Sequence, residues 1–291
     1  ESVPGAAPRR RVTAPTAPAV SAAIFGEGPI NPLLTDLHAQ VAEAGHIGGM
    51  SDAEIAELVK PENVYQKRLT TKYGLSNGEK ANFFATRVRH RRPVGKDGEK
   101  ERSQGGIRVI LPETLGPQFY EFYERVIQPL LTGDPGRDLQ ILNAFLERWV
   151  VEEATALAIG MSFKNKVAGL PLGGAKGAIL LAEWKQVDGQ WKLLPVNIPT
   201  AQYTRADVAM MMRAVGRAFA EDGVIHEKVD GGAPDVNPLQ KLGIETRDLM
   251  AWLLDETLVV LSEKKDDPLW SREGELLHRL EQVDGDLVPT R

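Results

Sequence analysis

Apolar residues recur with a spacing of three to four positions in four parts of the chain, which predicts helices with one buried face. These parts are residues 34–60, 134–160, 204–223 and 246–261. The start signals agree with this prediction, because Ser51 and Thr204 are each followed three residues later by an acid and Asp134 precedes a proline. We expect glycines to interrupt the first helical part at Gly45 and to end the second at Gly160.

Between the predicted helices lie segments rich in aromatic and β-branched residues, which favours strands. They cover residues 82–94 and 105–111, the two sides of a glycine-rich turn within 169–177, and the residues around Asp188 and Gly189. An Asp-Gly pair between two such segments is typical of a tight hairpin turn. Strands that alternate with helices predict an α/β architecture built in layers.

Composition divides the 291 residues into three parts. Residues 1–25 are rich in proline and alanine, carry three consecutive arginines and lack an apolar face, so we expect a disordered arm. Residues 26–261 form the predicted domain, and residues 262–291 are a charged tail. The basic, nearly acid-free arm is slightly similar to an organelle transit sequence, whereas the simpler interpretation is a solvated tail.

Charge and cysteine usage exclude several classes of function. The net charge of −5 provides no general attraction for nucleic acid or anionic lipid. No apolar run approaches the ~18 residues that a membrane-spanning helix requires. The sequence has no cysteine, which excludes disulfides, thiol nucleophiles and cysteine-bound metals, and its five scattered histidines do not favour a metal site.

The most informative segment is Gly-Leu-Pro-Leu-Gly-Gly-Ala-Lys-Gly at residues 169–177. Glycines such as Gly174 permit close approach of the backbone to a small ligand, and Lys176 is the one cation among them. A flexible surface turn would have the same composition. The segment is not a phosphate-binding P-loop, because that motif needs Gly-Lys-Ser or Gly-Lys-Thr.

Two further residues could complete a site. Lys164 lies twelve positions before Lys176. The two lysines could converge on an anionic substrate, and their mutual repulsion would lower the pKa of one of them. Asp235 follows a proline in a glycine-rich loop. Taken alone, such a loop carboxylate is more often a turn former or a helix cap.

Several motifs together resemble the amino-terminal, substrate-binding and dimerisation domain of the glutamate/leucine/phenylalanine/valine dehydrogenase family, and its glutamate-specific members most closely. In chain order they are Thr86–His90, Gly105–Arg108, Met161–Asn165, Gly169–Gly177, Ala233–Asp235 and Met250–Glu256. The resemblance implies a three-layer αβα fold with a mixed sheet. It also implies a homo-oligomer, a dimer or hexamer, in the cytoplasm or an organelle matrix.

The same resemblance implies reversible oxidative deamination of an L-amino acid with NAD or NADP. It implies that Lys176 is the catalytic lysine that activates water and that Asp235 carries protons to and from the amine. Lys164 would bind the substrate α-carboxylate, together with the segment Gln104, Gly105, Gly106 and with Gly174.

Two departures from the family bear on this expectation. Gln104 stands where the family has a substrate-binding lysine, so the ionic part of that contact is lost. The chain also has no G-x-G-x-x-G fingerprint, so we expect the dinucleotide-binding Rossmann domain to be absent. NAD or NADP would then be bound mainly by such a domain outside this chain, for example on a partner chain. The alternative to the substrate-binding part of an enzyme is therefore a non-catalytic regulatory or assembly subunit.

Overall fold

A computed structural model describes residues 17–90, 102–196, 204–222 and 242–263, together with Leu239. Its α-helices are α1 (Ala17–Phe25), α2 (Pro32–Ile47), α3 (Asp52–Val59), α4 (Gly116–Phe122), α5 (Pro135–Val167), α6 (Arg205–Glu221) and α7 (Thr246–Glu263). Its strands are β1 (Asn63–Thr70), β2 (Asn82–Arg89), β3 (Arg102–Gln104), β4 (Ile107–Ile110), β5 (Leu172–Leu180), β6 (Ala182–Val187) and β7 (Gln190–Pro195). Short 3₁₀ and π turns cover Pro112–Thr114, Tyr123–Ile127 and Gln128–Leu130.

Strand β5 is the centre of a five-stranded mixed sheet. It pairs antiparallel with β2, which pairs antiparallel with β1, and on its other side it pairs parallel with β3 and then β4. The register places Val88 opposite Lys176 and Gln104 opposite Gly174. The first half of β5, which carries the glycines and Lys176, is therefore flanked by β2 and β3.

Helices cover both faces of this sheet. Alternate residues of β2, β4 and β5, among them Phe84, Ile110 and Ala178, pack with α5 in one buried cluster. The residues between them, such as Phe83 and Ile179, pack with α6 and α7 in a second cluster. The expected three-layer αβα fold with a mixed sheet is confirmed.

Helix α5 begins where the sequence predicts but does not end there. The Asp134 side chain accepts hydrogen bonds from the amides of Gly136 and Arg137, and the helix then continues through Gly160 to Val167. The prediction of an end at Gly160 was wrong. A glycine within a helix costs only about 1 kcal/mol, and the burial of Ile159 beside it on the same helix favours continuation.

The glycine-rich segment is a strand rather than a turn. Strand β5 runs without a break through Gly173, Gly174 and Gly177, so the prediction of a turn between two strands was wrong. A Cβ atom on Gly174 would lie 2.0 Å from the Ala158 carbonyl oxygen of α5. Gly174 therefore permits close packing of β5 against α5. A glycine-rich composition is the same for such packing and for a turn, so the sequence does not distinguish the two.

The predicted hairpin is confirmed in β6 and β7, which pair antiparallel. Asp188 and Gly189 connect them, with φ angles of 54° and 75°. Positive φ at both central residues is the geometry for which an Asp-Gly pair is suited. Trp184 from this hairpin is buried in the cluster that contains α5.

The N-terminal region is more ordered than its composition predicts. Residues 17–25 form α1, which contacts α5, so the predicted disordered arm is wrong for this part, whereas residues 1–16 lie outside the described residues. Helix α2 also continues through Gly45, where we expected a break. The predicted tail lies outside the described residues from position 264 onwards. None of the helices in the described part has the length and apolar character needed to cross a bilayer.

Candidate functional site

Lys176 lies in the middle of β5, on the face that α5 covers. Its alternate neighbours on that strand, Ala178 and Leu180, pack in the same cluster as α5, and strand geometry directs Lys176 to the same side. The side chain is half-buried. No carboxylate of the described residues lies within salt-bridge distance of its ammonium group.

The surroundings lower the pKa of Lys176. Burial is the main cause, because it penalises the charged amine, and the positive charges of Arg108 and Lys164 act in the same direction. The negative charge of Glu153 opposes them. Among the described residues, the group of charges around Lys176 thus contains three cations, Lys176 included, and one acid.

Arg108 and Glu153 form an ion pair within this group. Arg108 is on β4, on the same face of the sheet as Lys176, and Glu153 is on α5 directly across from it. Burial raises the pKa of the Glu153 carboxyl, although Arg108 and Lys176 both act to lower it. The Nε atom of Arg108 is buried, and no described residue accepts a hydrogen bond from it. This N–H group remains available to an anion.

Lys164 lies in the last turn of α5 and is exposed to solvent. Its effect on the pKa of Lys176 shows that the two charges lie near each other. The Asn165 side chain next to it donates a hydrogen bond of 3.0 Å to the carbonyl of Gly173. The end of α5 is thereby attached to the strand that carries Lys176.

The segment Gln104–Gly106 runs along the other side of β5. Gln104 is in register with Gly174, and the Gly177 amide donates a hydrogen bond of 2.9 Å to the Gly106 carbonyl. A Cβ atom on Gly105 would lie 1.3 Å from the Ala175 carbonyl oxygen, so only glycine permits this approach. The Gln104 side chain lies outside the described residues.

The structure therefore places most of the predicted residues on or beside β5. Lys164, Lys176, Gly174 and the backbone of Gln104–Gly106 lie together, whereas Asp235 lies outside the described residues. Sequence reasoning did not identify Glu153, whose partner is 45 positions away in the chain. No local signal in the sequence distinguishes it from the adjacent acid Glu152. Among the described residues, no group of three or more His, Asp or Glu side chains is arranged to hold a metal ion.

Comparison with known proteins gives this site a family. Residues 144–192 match the sequence model described as the Glu/Leu/Phe/Val dehydrogenase, dimerisation domain. The resemblance found in the sequence is thereby confirmed. The match includes Lys164, Gly174 and Lys176. Residues 144–192 are thus similar to the dimerisation domain of this dehydrogenase family.

Relatives and solved structures of similar fold carry the same family name. A protein of Pyrobaculum calidifontis named NADP(+)-dependent glutamate dehydrogenase is 35% identical over 101 residues, which are 35% of this chain and 18% of that protein. Glutamate dehydrogenase from Peptoniphilus asaccharolyticus superposes with a TM-score of 0.46 at 19% identity, covering 79% of this chain and 41% of that one. Glutamate dehydrogenase from Plasmodium falciparum gives 0.49 at 13% identity, covering 84% and 38%. The chain spans less than half the length of these proteins.

Proposed function

We propose that this chain is the substrate-binding part of a glutamate-dehydrogenase-like oxidoreductase. Lys164 binds the α-carboxylate of an L-amino acid or its 2-oxo acid beside Lys176, and the reaction is reversible oxidative deamination, with glutamate and 2-oxoglutarate as the expected pair. Lys176 acts as the base that activates water at the substrate carbon, and Asp235 carries protons to and from the amine.

One observation carries this proposal: Lys176 is half-buried, has no carboxylate partner among the described residues and lies near two further cations. An excess of positive charge in a partly desolvated position is unfavourable unless an anion occupies it. The lowered pKa of Lys176 also increases the fraction of neutral amine near pH 7, which a general base requires.

The start of α5 is not suited to hold the pyrophosphate of a nicotinamide dinucleotide. The parallel crossover from β4 through α5 to β5 is the kind of unit that could place a pyrophosphate at a helix N-terminus. At the start of α5, however, Asp134 accepts the first free amides, and Asp138 accepts the amides of Thr132 and Gly133. Two carboxylates at this terminus would repel a phosphate. We therefore do not expect NAD or NADP to bind at the start of α5.

The second candidate is a non-catalytic regulatory or assembly subunit that binds the same anion without converting it. Gln104, in place of the lysine expected from the family, favours it, and so does the acid-capped start of α5. The dimerisation domain of the matched family supports a homo-oligomer in either case, and a cytoplasmic location is part of both proposals. Light scattering on the purified chain would test the oligomer.

Isothermal titration calorimetry with 2-oxoglutarate, glutamate and leucine tests the anion site. We expect wild-type protein to bind a dicarboxylate and Lys164→Ala to bind it about ten- to a hundredfold more weakly, the range for a charge-assisted hydrogen bond. Lys166→Ala is the matched control, because Lys166 is also exposed in the last turn of α5. Equal affinities of the three proteins would contradict the proposal.

A turnover assay separates the two candidates. The substrate-binding part of an enzyme should support amino-acid-dependent reduction of NAD or NADP when mixed with a separately produced dinucleotide-binding domain of a glutamate dehydrogenase. Lys176→Met should abolish that activity and retain the fold. Binding of 2-oxoglutarate without turnover in any mixture would favour the non-catalytic subunit.

A further inference from the structure

A short hydrogen bond joins the end of α5 to the first half of β5. The Gly174 amide donates to the Ser162 hydroxyl oxygen at 2.7 Å. Ser162 lies two residues before Lys164, and Gly174 lies two residues before Lys176. The same bond therefore fixes the two short segments that carry the two lysines relative to each other.

His90 holds the serine hydroxyl in place. Its Nε2 atom lies 2.8 Å from the carbonyl oxygen of Leu58, and its Nδ1 atom lies 2.8 Å from the Ser162 oxygen. A carbonyl only accepts, so in the neutral ring Nε2 carries the proton and Nδ1 accepts from the serine hydroxyl. The hydroxyl thus donates to His90 and accepts from Gly174, which defines its orientation completely.

The backbone of His90 contributes to the same contact. Its amide donates a hydrogen bond of 2.8 Å to the Gly174 carbonyl, so Gly174 is bonded through both of its backbone groups. His90 is almost fully buried, with 2% of its surface exposed. Ser162, His90 and Gly174 form a unit that we call the serine–histidine link.

The link adds to the hydrogen bond between Asn165 and Gly173 in attaching the end of α5 to β5. The last turn of a helix has unsatisfied carbonyl groups and frays more readily than its middle. Lys164 is exposed in that turn, so packing of its own side chain does not fix its position. The position of its charge relative to Lys176 therefore depends on what attaches the turn to the sheet.

We propose that Ser162, oriented by His90, is a positioning residue that sets the separation of the Lys164 and Lys176 ammonium groups and thereby the fit of a substrate carboxylate between them. This inference rests on the proposed function for the identity of the ligand. The link itself touches no substrate in this arrangement, and it acts only through the two lysines.

Calorimetry with 2-oxoglutarate on three variants tests the proposal. Ser162→Ala removes the hydroxyl and should weaken binding about five- to tenfold, the range expected for one lost hydrogen bond. Ser162→Thr keeps a hydroxyl and should restore affinity. Thr155→Ala is the control, because Thr155 is buried on the same helix and its hydroxyl donates to the Val151 carbonyl within that helix. A threonine variant as weak as the alanine variant would overturn the proposal.

A second measurement needs no ligand and separates this inference from the proposed function. The pH profile of Lys176 acetylation, followed by mass spectrometry of the intact chain, reports how strongly the charge of Lys164 acts on it. Ser162→Ala should move the profile to higher pH because Lys164 moves away, and Ser162→Thr should return it. Should the alanine variant not fold, His90→Gln takes its place with the same expected direction.

The combined outcomes are distinct. If wild-type protein binds no 2-oxo acid, the proposed function fails, and the acetylation profile alone decides whether Ser162 positions the lysines. If wild-type protein binds but Ser162→Ala or its substitute His90→Gln has the wild-type affinity and profile, the serine–histidine link has no positioning role. If Ser162→Ala binds 2-oxoglutarate more weakly and its acetylation profile moves to higher pH, and if Ser162→Thr restores both, the results support the proposed function and the positioning role of Ser162.

Discussion

Lys176 experiences opposing influences whose balance decides its chemistry. Burial and the charges of Arg108 and Lys164 favour the neutral amine, and Glu153 favours the ammonium form. Glu153 is itself a buried acid, and burial raises its pKa. It also forms an ion pair with Arg108, whose positive charge offsets part of its effect on Lys176. Burial is the largest of these influences and the two cations add to it, so the pKa of Lys176 lies below that of an ordinary lysine.

Replacing Glu153 with glutamine should lower the pKa of Lys176 further. The substitution removes the one negative charge that raises this pKa and leaves the positive charge of Arg108 without its partner. We therefore expect acetylation of Lys176 to begin at lower pH in Glu153→Gln than in wild-type protein. The midpoint of the acetylation profile, measured by mass spectrometry, is the quantity to compare.

The control for this prediction is Glu121→Gln, which removes an exposed carboxylate of the i, i+4 pair with Arg125. Pairs of this kind contribute little and are screened by solvent, so the profile should not move. A shift of the Glu153→Gln profile to higher pH would contradict this prediction. It would mean that Glu153 lowers the pKa of Lys176 by excluding water more than it raises this pKa by its negative charge.

At this scale the sequence predicts the two lysines but not the ion pair beside them. Lys176 and Lys164 are identifiable because they lie in short motifs of the chain. Arg108 and Glu153 meet only because β4 is parallel to β5 and α5 crosses over them. Their proximity depends on the topology of the sheet and cannot be predicted from a local sequence pattern.

The packing of β5 against α5 determines where these elements place the site. The two backbones meet at Gly174, where a Cβ atom would lie 2.0 Å from the Ala158 carbonyl oxygen and 2.5 Å from the Ser162 nitrogen. Both distances involve main-chain atoms, which a rotamer change cannot displace. Even one methyl group at this position would force the strand and the helix apart.

Gly174→Ala should therefore destabilise the fold strongly. Overpacking in a core costs about 1–3 kcal/mol and more where backbone must move, so we expect a loss of at least about 3 kcal/mol in the free energy of unfolding. Urea denaturation followed by circular dichroism measures it. The matched control is Gly160→Ala within α5, where a Cβ atom has no neighbour within 4 Å and φ is not positive.

The control should be stabilised by about 0.5–1 kcal/mol, since alanine restricts the unfolded chain and favours the helix. Gly174→Ala with wild-type stability would mean that α5 and β5 can separate without cost. The close contact between α5 and β5 would then not depend on a glycine at position 174.

The two glycines also show what sequence can predict about elements. Caps are local, so the starts of α3, α5 and α6 at Ser51, Asp134 and Thr204 are all predictable from a few letters. Gly160 and Gly174 instead occur in a continuing helix and a continuing strand. Whether a glycine ends an element or permits close packing depends on the neighbour that the fold supplies.

On the scale of the whole molecule, one buried acid attaches the N-terminal region to the core. The Glu152 carboxylate of α5 accepts hydrogen bonds of 2.7 Å from the amides of Ile30 and Asn31. It also accepts from Arg148 one turn earlier, and that guanidinium donates to the carbonyls of Gly26 and Gly28. Residues 26–31 are thereby held through their backbone, and the Asn31 side chain adds a hydrogen bond of 3.1 Å to the Trp149 carbonyl.

Glu152→Gln should loosen this attachment and leave the central sheet intact. A neutral amide accepts more weakly than a carboxylate, and the ion pair with Arg148 is lost, so about 1–3 kcal/mol of local stability should disappear. Hydrogen exchange followed by mass spectrometry should then show faster exchange, by about ten- to a hundredfold, in the amides of residues 20–34. The amides of β2 and β5 should exchange as in wild-type protein, because their bonds lie within the sheet.

Glu121→Gln again serves as the comparison, since it should change exchange in neither region. Faster exchange throughout the chain of Glu152→Gln would show that the N-terminal region is part of the cooperative core. An unchanged pattern would show that the packing of Phe25 on Phe145 suffices to hold α1 without the acid. Faster exchange confined to residues 20–34 would mean that α1 and the segment after it can leave α5 without disturbing the strand that carries Lys176.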